Sequence, residues 1–387
     1  MGRMIYLDNA ATTFPKPPAM LEKMTAAYSC LGVSPGRGSY DRAVQAEELV
    51  DGARRKLAAF FGAPDPARVV FAANATDALN LAIQGILQPG DHVVSSRLEH
   101  NSVLRPLNHL QRMGMIEYDL LPFNAQGVID VDRLAAAFRS NTAAVIVSQA
   151  SNVLGTVQPI SDVAAICRRR GVPLIVDTAQ SAGLVPIDLK NWGPAAVAFT
   201  GHKSLFGPTG IGGLAVHPDL DIRSTRFGGT GIDSGNPIHT QTFPHRLEAG
   251  TINLMGIIGL VEGVAFVNSE GAAAIHRREM LLYERLRSGL KAMGNVDIYT
   301  GGDLSRQLGL LTVNVQGMDP ADVGAILDAD FGIAVRTGLH CAPLVHKDLG
   351  TWPRGAVRFS LGPFNTDADI DQALSAMELI SQSAGSG

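Results

Sequence analysis

The feature that most limits the fold of this chain is an alternation, from about residue 68 onward, of short β-branched runs with amphipathic segments. The first run, RVVFAA at 68–73, precedes DALNLAIQGIL at 77–87, where apolar residues recur at helical spacing. Five more strand-like runs follow, with helical segments between most of them: HVVSS, MIEYDLL, AAVIVS, PLIVD and AAVAF. Because a helical connection brings the next strand back parallel to the first, the pattern predicts a mostly parallel sheet wrapped by helices.

A glycine-rich segment, FGGTGIDSGNP at 227–237, interrupts this alternation and is predicted to be a loop. One long helix is expected from about Met255 to Met293, and a second, smaller α/β unit comes after it. Its elements are the strand LGLLTVNV, the helix DPADVGAILDAD, the strands GIAVR and AVRFSL, and a closing helix from about Asp367 to Gln382. We therefore expect an N-terminal arm (1–14), a large domain (15–255) and a smaller C-terminal α/β domain (256–387).

Side chains with oxygen acceptors mark the expected starts of three helices in the large domain. They are Thr76–Asp77, Asp130 and Ser161–Asp162. Gly171 is predicted to end the third helix, because glycine readily adopts the left-handed conformation found just after many helices.

Composition and charge argue against several classes of function. The chain has 387 residues, of which 46% are hydrophobic, enough to bury one large core or two joined cores. Its net charge of -4 gives no electrostatic reason to expect nucleic acid or an anionic membrane as a partner. No apolar segment of signal-peptide length opens the sequence, so a cytoplasmic protein is expected. The three cysteines, Cys30, Cys167 and Cys341, are too few and too scattered for a disulfide framework.

Two chemically important residues follow neighbouring apolar strands. Asp177 ends the strand in VDTAQS (176–181), and Lys203 follows the next strand in FTGHKSLFGPTGIGG (199–213). Ligands of open α/β sheets bind at the carboxyl ends of strands, and a lysine there is a Schiff-base candidate. The segment is not a phosphate-binding P-loop, because no glycine precedes the lysine at the required spacing.

An aspartate and a lysine at neighbouring strand ends have a shared use in pyridoxal phosphate enzymes. The lysine holds the cofactor covalently, while the carboxylate keeps the pyridine nitrogen protonated so that the ring accepts electrons from the substrate. Taken singly, each residue is better explained as a surface lysine or a strand-end ion pair. The pair indicates a cofactor site only where further motifs agree with it.

Such motifs run nearly the whole length of the chain. They are LDNAAT (7–12), NATDALN (74–80), LEHNS (98–102), SNVLGT (151–156), VDTAQS, TGHKSLFGP, EAGTIN (248–253), RTGLHCA (336–342) and VRFSLGPFNT (357–366). With this ordered set the chain resembles the class V aminotransferase-fold enzymes, and within them the cysteine desulfurases of the SUF type. The resemblance implies a fold-type I transferase that uses pyridoxal 5'-phosphate and L-cysteine. It also implies a homodimer and a sulfur-acceptor protein as partner, with iron-sulfur cluster assembly as a destination for the sulfur.

The resemblance assigns cofactor-binding roles to several residues. Thr76, Thr200 and His202 would bind the phosphate at a helix N-terminus, where free amide groups and the helix dipole favour an anion. His100 would stack on the pyridine ring and relay protons, and Gln180 would donate a hydrogen bond to the phenolic oxygen of the ring. Outside the family, Thr76 would be an ordinary helix cap and His100 a structural histidine.

Three further residues are assigned to the substrate and to the neighbouring subunit. Asn152 and Arg358 would hold the substrate carboxylate, since a guanidinium can pair with a carboxylate through two hydrogen bonds. The alternative for Arg358 is an exposed salt bridge. Thr251 would reach the phosphate of the neighbouring subunit, which implies that the active sites are shared across the dimer.

In the resembled family the cysteine of RTGLHCA attacks the sulfur of the cofactor-bound substrate, so Cys341 is the expected nucleophile. Arg336 and His340 could favour its thiolate form, and a loop would keep it mobile. A zinc site made of His340, Cys341 and His346 would lack a fourth ligand, and no metal is expected. Cys167, in VAAICRRR, is predicted to pack inward from a helix, and Cys30 has no chemical context.

The expected reaction is desulfuration of L-cysteine, in which Lys203 removes the Cα proton and Cys341 becomes a persulfide as alanine forms. Two enzyme alternatives stay open: a selenocysteine lyase, and an aminotransferase or β-lyase that does not use Cys341. A sulfur carrier or scaffold without catalytic activity is a third, which the intact Asp177, Lys203 and Arg358 argue against.

Overall fold

The computed structural model describes residues 4–232 and 234–384. The helices are α1 (Pro18–Leu31), α2 (Asp41–Phe61), α3 (Ala75–Ile86), α4 (Asn101–Arg112), α5 (Val131–Ala136), α6 (Ile160–Arg170), α7 (Leu189–Trp192), α8 (Leu254–Glu270), α9 (Ala272–Ala292), α10 (Pro320–Phe331), α11 (Pro343–Asp348) and α12 (Asp367–Ala384). The strands are β1 (Ile5–Tyr6), β2 (Val69–Ala72), β3 (Asp91–Ser96), β4 (Ile116–Leu121), β5 (Thr142–Ser148), β6 (Leu174–Asp177), β7 (Ala195–Thr200), β8 (Gly212–Val216), β9 (Val296–Tyr299), β10 (Leu310–Val315), β11 (Ile333–Ala334), β12 (Arg336–Gly338) and β13 (Ala356–Ser360).

Seven strands form the large sheet in the order β2-β8-β7-β6-β5-β3-β4. The four pairings from β7 through β6, β5 and β3 to β4 are all parallel, which confirms the predicted mostly parallel sheet. Strand β8 pairs antiparallel with both β2 and β7, and the sequence pattern had not indicated it. Its first two residues are glycines, and a side chain at Gly213 would collide with the carbonyl oxygen of Val70 on β2. This close approach explains why glycine stands in the middle of a sheet.

Both faces of the large sheet are buried, which explains the unbroken apolar runs of its central strands. Neighbouring residues of one strand enter different cores: Val145 and Val176 pack with α1, α2, α6 and α8, whereas Ile146 and Ile175 pack with α3 and α4. Helices therefore cover the sheet on both sides, and the carboxyl ends of β5, β6 and β7 stay free to carry polar side chains.

The C-terminal unit is an antiparallel sheet of order β12-β13-β10-β9, packed against α9, α10 and α12. The N-terminal arm joins it, because β1 pairs in parallel with β11 and Leu7 lies in the same core. Beyond β1 the arm also contacts the large domain, where the Thr13 amide donates to the His202 carbonyl at 3.0 Å. The arm thus links the small domain to the segment that carries Lys203.

The long helix predicted at about 255–293 is two helices. α8 and α9 meet at Gly271 with a bend of 76° between them. Gly271 has φ of +82°, a conformation that glycine adopts without the steric cost met by other residues. Helical periodicity continues on both sides of the bend, so the sequence pattern alone did not reveal it. Within the described residues no single helix is long and apolar enough to cross a membrane. The bent pair has the length and composition of a membrane span only when α8 and α9 are taken together.

One of the three predicted helix caps is correct. Asp130 accepts hydrogen bonds from the amides of Asp132 and Arg133 at the start of α5. The cap of α3 is Asn74 and not Thr76–Asp77, since the Asn74 side chain accepts from the Asp77 amide at 2.9 Å. The predicted cap at 161–162 is also wrong, because α6 begins after Pro159 and has no side-chain cap. Gly171 ends α6 in the left-handed conformation as predicted.

Candidate active site

A cavity of about 280 Å³ lies at the carboxyl ends of the central strands. Ser148, Asp177 and Thr200 are the last residues of β5, β6 and β7, and the parallel pairing of these strands places them side by side at one edge. Nine of the eleven residues predicted for the site line this cavity: Thr76, His100, Asn152, Asp177, Gln180, Thr200, His202, Lys203 and Arg358. Residues up to 282 positions apart in the sequence thus share one cavity.

Lys203 and Asp177 face the same cavity from adjacent strand ends. Burial lowers the pKa of Lys203 to about 8, against an opposing effect of the Asp177 charge. Burial likewise raises the pKa of Asp177, which is 6% exposed and whose Oδ1 accepts one hydrogen bond, from the Ala179 amide at 2.9 Å. A lysine with this lowered pKa has a larger fraction of unprotonated, nucleophilic amine near neutral pH than an exposed lysine has.

The cavity lining also has groups that can bind an anion. It contains the N-terminus of α3, whose first amide groups have no partner within the helix. Thr76 on this first turn shares a hydrogen bond of 2.6 Å with Ser102. Thr200 Oγ1 and His202 Nδ1 are buried there without a hydrogen-bond partner among the described residues. Burial lowers the pKa of His202 to about 4, so the ring is neutral and Nδ1 is free to donate or accept.

His100, the residue that caps α4, also lines the cavity. Its Nδ1 accepts a hydrogen bond from the Ser102 amide at 3.0 Å, which puts the proton of the neutral ring on Nε2. Burial, followed by the positive charges of Lys203 and Arg336, lowers the pKa of His100 to about 4. The ring is therefore uncharged near neutral pH and carries a donor on a single nitrogen.

Glu99 anchors this histidine, and the sequence analysis missed it. Its carboxylate accepts hydrogen bonds from Ser96 Oγ at 2.5 Å, from the Ser148 amide at 3.1 Å and from Ser148 Oγ at 2.6 Å. These bonds tie the His100 segment to the ends of β3 and β5. Burial raises the pKa of Glu99 to about 7. The signal in the sequence was an acid three residues after the end of a predicted strand, beside a residue already suspected of a role.

Arg358 enters the cavity from the middle of β13 and is 1% exposed, so the alternative of an exposed salt bridge is wrong. It donates to Asp8 Oδ1 at 2.9 Å and to the carbonyl of Asn152 at 3.0 Å. Its Nε is buried and has no partner among the described residues. Burial lowers the pKa of Arg358, and the Asp8 charge opposes that effect. Asp8, from the arm, was not predicted as part of the site.

Cys341 does not line this cavity but lines an adjoining one of about 400 Å³. Thr76, His100 and Ser102 line both, so the two spaces share a wall. Arg336 Nη2 lies 3.5 Å from Cys341 Sγ, as a cation that favours a thiolate should. The expected contribution of His340 is wrong, because its ring bonds to His346 and to the Arg336 carbonyl and not to the thiol.

The turn that carries Cys341 is held by hydrogen bonds, in contrast to the mobile loop expected from the sequence. The Cys341 carbonyl accepts from the Asn101 amide at 2.7 Å, and the His340 carbonyl accepts from Asn152 Nδ2. His340 and Cys341 adopt left-handed backbone conformations, with φ of 49° at His340 and 60° at Cys341. Non-glycine residues adopt this conformation at a cost of about 1–3 kcal/mol, so surrounding contacts must hold it.

Thr251 is, after Cys341, the second predicted site residue that does not line the cavity of Lys203. It lines a different cavity, together with Arg37 and Glu248. Glu248 is buried and forms a two-bond pair with Arg54 at 2.8 and 2.7 Å, which fixes the start of the EAGTIN segment. Within one chain, Thr251 and Lys203 therefore do not meet.

The remaining cysteines differ in environment. Cys167 packs inward from α6 into the core, as predicted, and is 2% exposed. Burial raises the pKa of its thiol to about 12. Cys30 is an exposed free cysteine on α1. Within residues 4–232 and 234–384, no group of three or more histidine, cysteine, aspartate or glutamate side chains could hold a metal ion.

The cavity fits pyridoxal phosphate, the cofactor that the sequence motifs imply. The unpartnered Thr200 and His202 atoms and the α3 N-terminus would receive the phosphate. The buried Asp177 carboxylate, with its one backbone hydrogen bond on Oδ1, has a lone pair for the ring nitrogen. Lys203 supplies the amine for covalent attachment. Groups that could bind a phosphate, a ring nitrogen and an aldehyde carbon thus line one cavity.

Comparisons with known proteins agree with this site. The family model for class-V aminotransferases matches residues 5–373. A probable cysteine desulfurase of Methanothermobacter thermautotrophicus is 34% identical over 372 residues, covering 95% of this chain and 92% of that protein. Cysteine desulfurase IscS of Cronobacter sakazakii is 34% identical over 398 residues, covering 98% and 93%. The apo structure of a cysteine desulfurase from Thermococcus onnurineus NA1 matches with a TM-score of 0.92 and 31% identity, covering 98% of this chain and 95% of that one.

Proposed function

The chain belongs to the class-V aminotransferase family, and from that premise we propose that it is a pyridoxal phosphate-dependent cysteine desulfurase. It converts L-cysteine to L-alanine and retains the sulfur as a persulfide on Cys341. The observation that carries the proposal is the position of the thiol. Cys341, beside Arg336, lines a cavity that shares a wall with the one containing Lys203 and Asp177. The relatives named as cysteine desulfurases support it.

Most of the polar residues that line the cavity have a task in this reaction. Pyridoxal phosphate, when bound, supplies an electron sink for the bond broken at the substrate Cα. Asp177 holds the ring nitrogen, and Thr76, Thr200 and His202 hold the phosphate. Asn152 and Arg358 orient the substrate carboxylate; the unpartnered Arg358 Nε is one donor for it.

Lys203 and His100 handle protons. With its pKa lowered to about 8, Lys203 accepts the Cα proton more readily than an exposed lysine would. His100 is neutral and holds its own proton on Nε2, from which it can be donated within the cavity. Both groups line the cavity and are partly exposed there, so each can exchange a proton directly with a bound substrate.

Cys341 performs the sulfur transfer. Its thiolate attacks the substrate Sγ, an S–S bond forms, and the Cβ–Sγ bond breaks with its electron pair remaining on carbon. The carbon fragment gains protons and leaves as alanine, while Cys341 retains the sulfur as a persulfide. The persulfide must then be reduced or passed to a thiol of an acceptor protein before another turnover. We propose iron-sulfur cluster assembly as the destination of this sulfur.

Product analysis tests this function against its alternatives. Incubation with L-cysteine and no added reductant should give an initial burst of about one alanine per Cys341 and then slow release, because the persulfide occupies the nucleophile until the substrate thiol itself removes the sulfur. A thiol reductant should restore continuous release of equal amounts of alanine and sulfide. Pyruvate with ammonia as the main products would instead indicate a β-lyase, and dependence on a keto acid an aminotransferase. Alanine formation by the parent protein that is much faster from selenocysteine than from cysteine would favour the selenocysteine lyase.

We propose further that two chains share their active sites, with Thr251 of one reaching the phosphate site of the other. The separation of Thr251 from Lys203 within one chain supports this arrangement. Mixing Lys203→Ala with Thr251→Ala subunits, each strongly impaired by itself, should restore part of the activity, because one site of the heterodimer then has both groups. Verified heterodimers without any recovery would contradict the sharing.

A further inference from the structure

Two buried histidines lie behind the Cys341 turn and have no task in the proposed reaction. His340 is 2% exposed and His346, on α11, is fully buried. Their Nδ1 and Nε2 atoms, respectively, are 3.3 Å apart. His346 Nδ1 in turn lies 2.8 Å from Thr351 Oγ1. Buried polar groups placed in series in this way form a hydrogen-bonded network.

The hydrogen bonds of this network can run in one direction. His340 Nε2 lies 3.3 Å from the carbonyl oxygen of Arg336, which only accepts, so that nitrogen carries the proton. The neutral ring then has a lone pair on Nδ1, and His346 must donate to it from Nε2. His346 Nδ1 is left as an acceptor for the Thr351 hydroxyl. Burial lowers the pKa of His340 to about 2 and that of His346 to about 4, so both rings are neutral near neutral pH.

The end of the network is the residue that contacts the thiol. The Arg336 carbonyl is held by the His340 ring, while its guanidinium lies 3.5 Å from Cys341 Sγ. Arg336 begins β12 and Cys341 follows five residues later, so the ring closes the turn on which both lie. The left-handed backbone at His340 and Cys341 requires contacts of this kind to persist.

We propose that His346 and Thr351 are positioning residues for the desulfuration: acting through His340, they hold the Arg336 guanidinium against the Cys341 sulfur. The expected effect of this contact on turnover rests on the proposed function. The contact itself is a property of the folded chain and can be measured without substrate. Lys203 and Arg358 also interact electrostatically with Cys341, whereas the side-chain hydrogen bonds of His346 go to His340 and Thr351.

The test compares His346→Leu with His346→Gln and Thr351→Val, all in a Cys30→Ser background so that Cys341 is the reactive thiol. Leucine removes the donor to His340 Nδ1. Glutamine restores a donor, because its Nε2–H group occupies a place similar to that of His346 Nε2. Valine at 351 keeps the shape of threonine but deletes the hydroxyl that fixes the proton on His346 Nε2. His217→Leu is the matched control, because His217 directly follows β8 and lines neither the cavity of Cys341 nor that of Lys203.

The readout is the rate of Cys341 alkylation by iodoacetamide in the cofactor-loaded protein, without cysteine. Near neutral pH we expect His346→Leu to slow alkylation at least about fivefold, since the thiolate loses its guanidinium partner. The difference should vanish at alkaline pH, where the thiol is ionised without help. Thr351→Val should show a smaller effect of the same form, and His346→Gln and His217→Leu should stay near the parent. The absorbance of the bound cofactor should not change in any of them.

In steady-state assays the same variants should lower kcat for cysteine with little change in KM, because the amino acid binds to other residues. Parental alkylation rates over the whole pH range in both His346→Leu and Thr351→Val would overturn the proposal, as would equal slowing in His346→Leu and His346→Gln. If His346→Leu does not fold, Thr351→Val decides the question alone. Slower alkylation with parental alanine production would leave the positioning role intact and count against the proposed use of Cys341.

Discussion

Replacing Lys203 by alanine should remove the covalently held cofactor and reduce alanine formation from cysteine by at least roughly a thousandfold. The substitution deletes both the attachment point and the base for the Cα proton, and a positioned base alone contributes about 10²–10⁴-fold. The absorbance band of lysine-bound cofactor should disappear, and borohydride reduction should no longer label the protein. Lys190→Ala, at an exposed position of α7, is the control and should keep both properties.

The Lys203 variant should stay folded, and the pKa of this lysine gives the sign of the stability change in cofactor-free protein. Burial lowers the pKa from 10.5 to about 8, so the charged amine destabilises the fold below about pH 8. The penalty is lost as the pH rises through 8 towards 10.5. Cofactor-free Lys203→Ala should thus unfold at no lower temperature than the cofactor-free parent near neutral pH, with a gain of at most about 3 kcal/mol. Turnover at the parental rate by this folded variant would contradict the assignment of Lys203 as the residue that holds the cofactor.

The parallel strands and the residues at their ends were accessible from the sequence because both depend on local signals. Apolar runs of strand length mark β5, β6 and β7, and parallel pairing then places whatever follows them at one edge. Asp177 and Lys203 follow such runs directly. Their meeting in one cavity needed no knowledge of long-range contacts.

Asp8 and Glu99 were missed because their partners are distant in the chain or belong to the backbone. Asp8 pairs with Arg358 across 350 positions, and no periodicity or spacing signals such a contact. Glu99 is recognisable only once β3 and β5 are adjacent, since its acceptors serve Ser96 and Ser148. Pairings of this kind are fixed by the tertiary fold.

The error at His340 has a local cause that the sequence hides. Proximity in RTGLHC suggested that the histidine would support the thiol. The positive φ values at His340 and Cys341 turn the chain so that the ring points to His346 instead. Such conformations are rare outside glycine, and nothing in the residue types signals them. The missed strand β8 has a similar origin, because its two glycines lower the strand signal while the sheet requires them.

Replacing Cys341 by serine should abolish persulfide formation and lower alanine production from cysteine by roughly a thousandfold or more, while cofactor binding stays intact. Serine keeps the size of the side chain and a polar atom near Arg336, so the turn should keep its packing. Its hydroxyl is a far weaker acid and a poorer nucleophile towards sulfur, so the attack on the substrate Sγ fails. Trapping with an alkylating reagent followed by peptide mass analysis should find a persulfide on Cys341 of the parent and none in the variant.

Cys30→Ser is the matched control for this experiment, because it removes an exposed thiol far from the cavity and should leave turnover unchanged. Cys167 is less suitable, since its thiol is buried in the core and its replacement would disturb packing. Selenocysteine supplies a second control: selenium can leave without a protein thiol, so the Cys341 variant should retain turnover of selenocysteine if the rest of the site is intact. Alanine release from cysteine at the parental rate by Cys341→Ser would disprove the desulfurase mechanism. The site would then have to work through Lys203 without a protein nucleophile, as a β-lyase or an aminotransferase does.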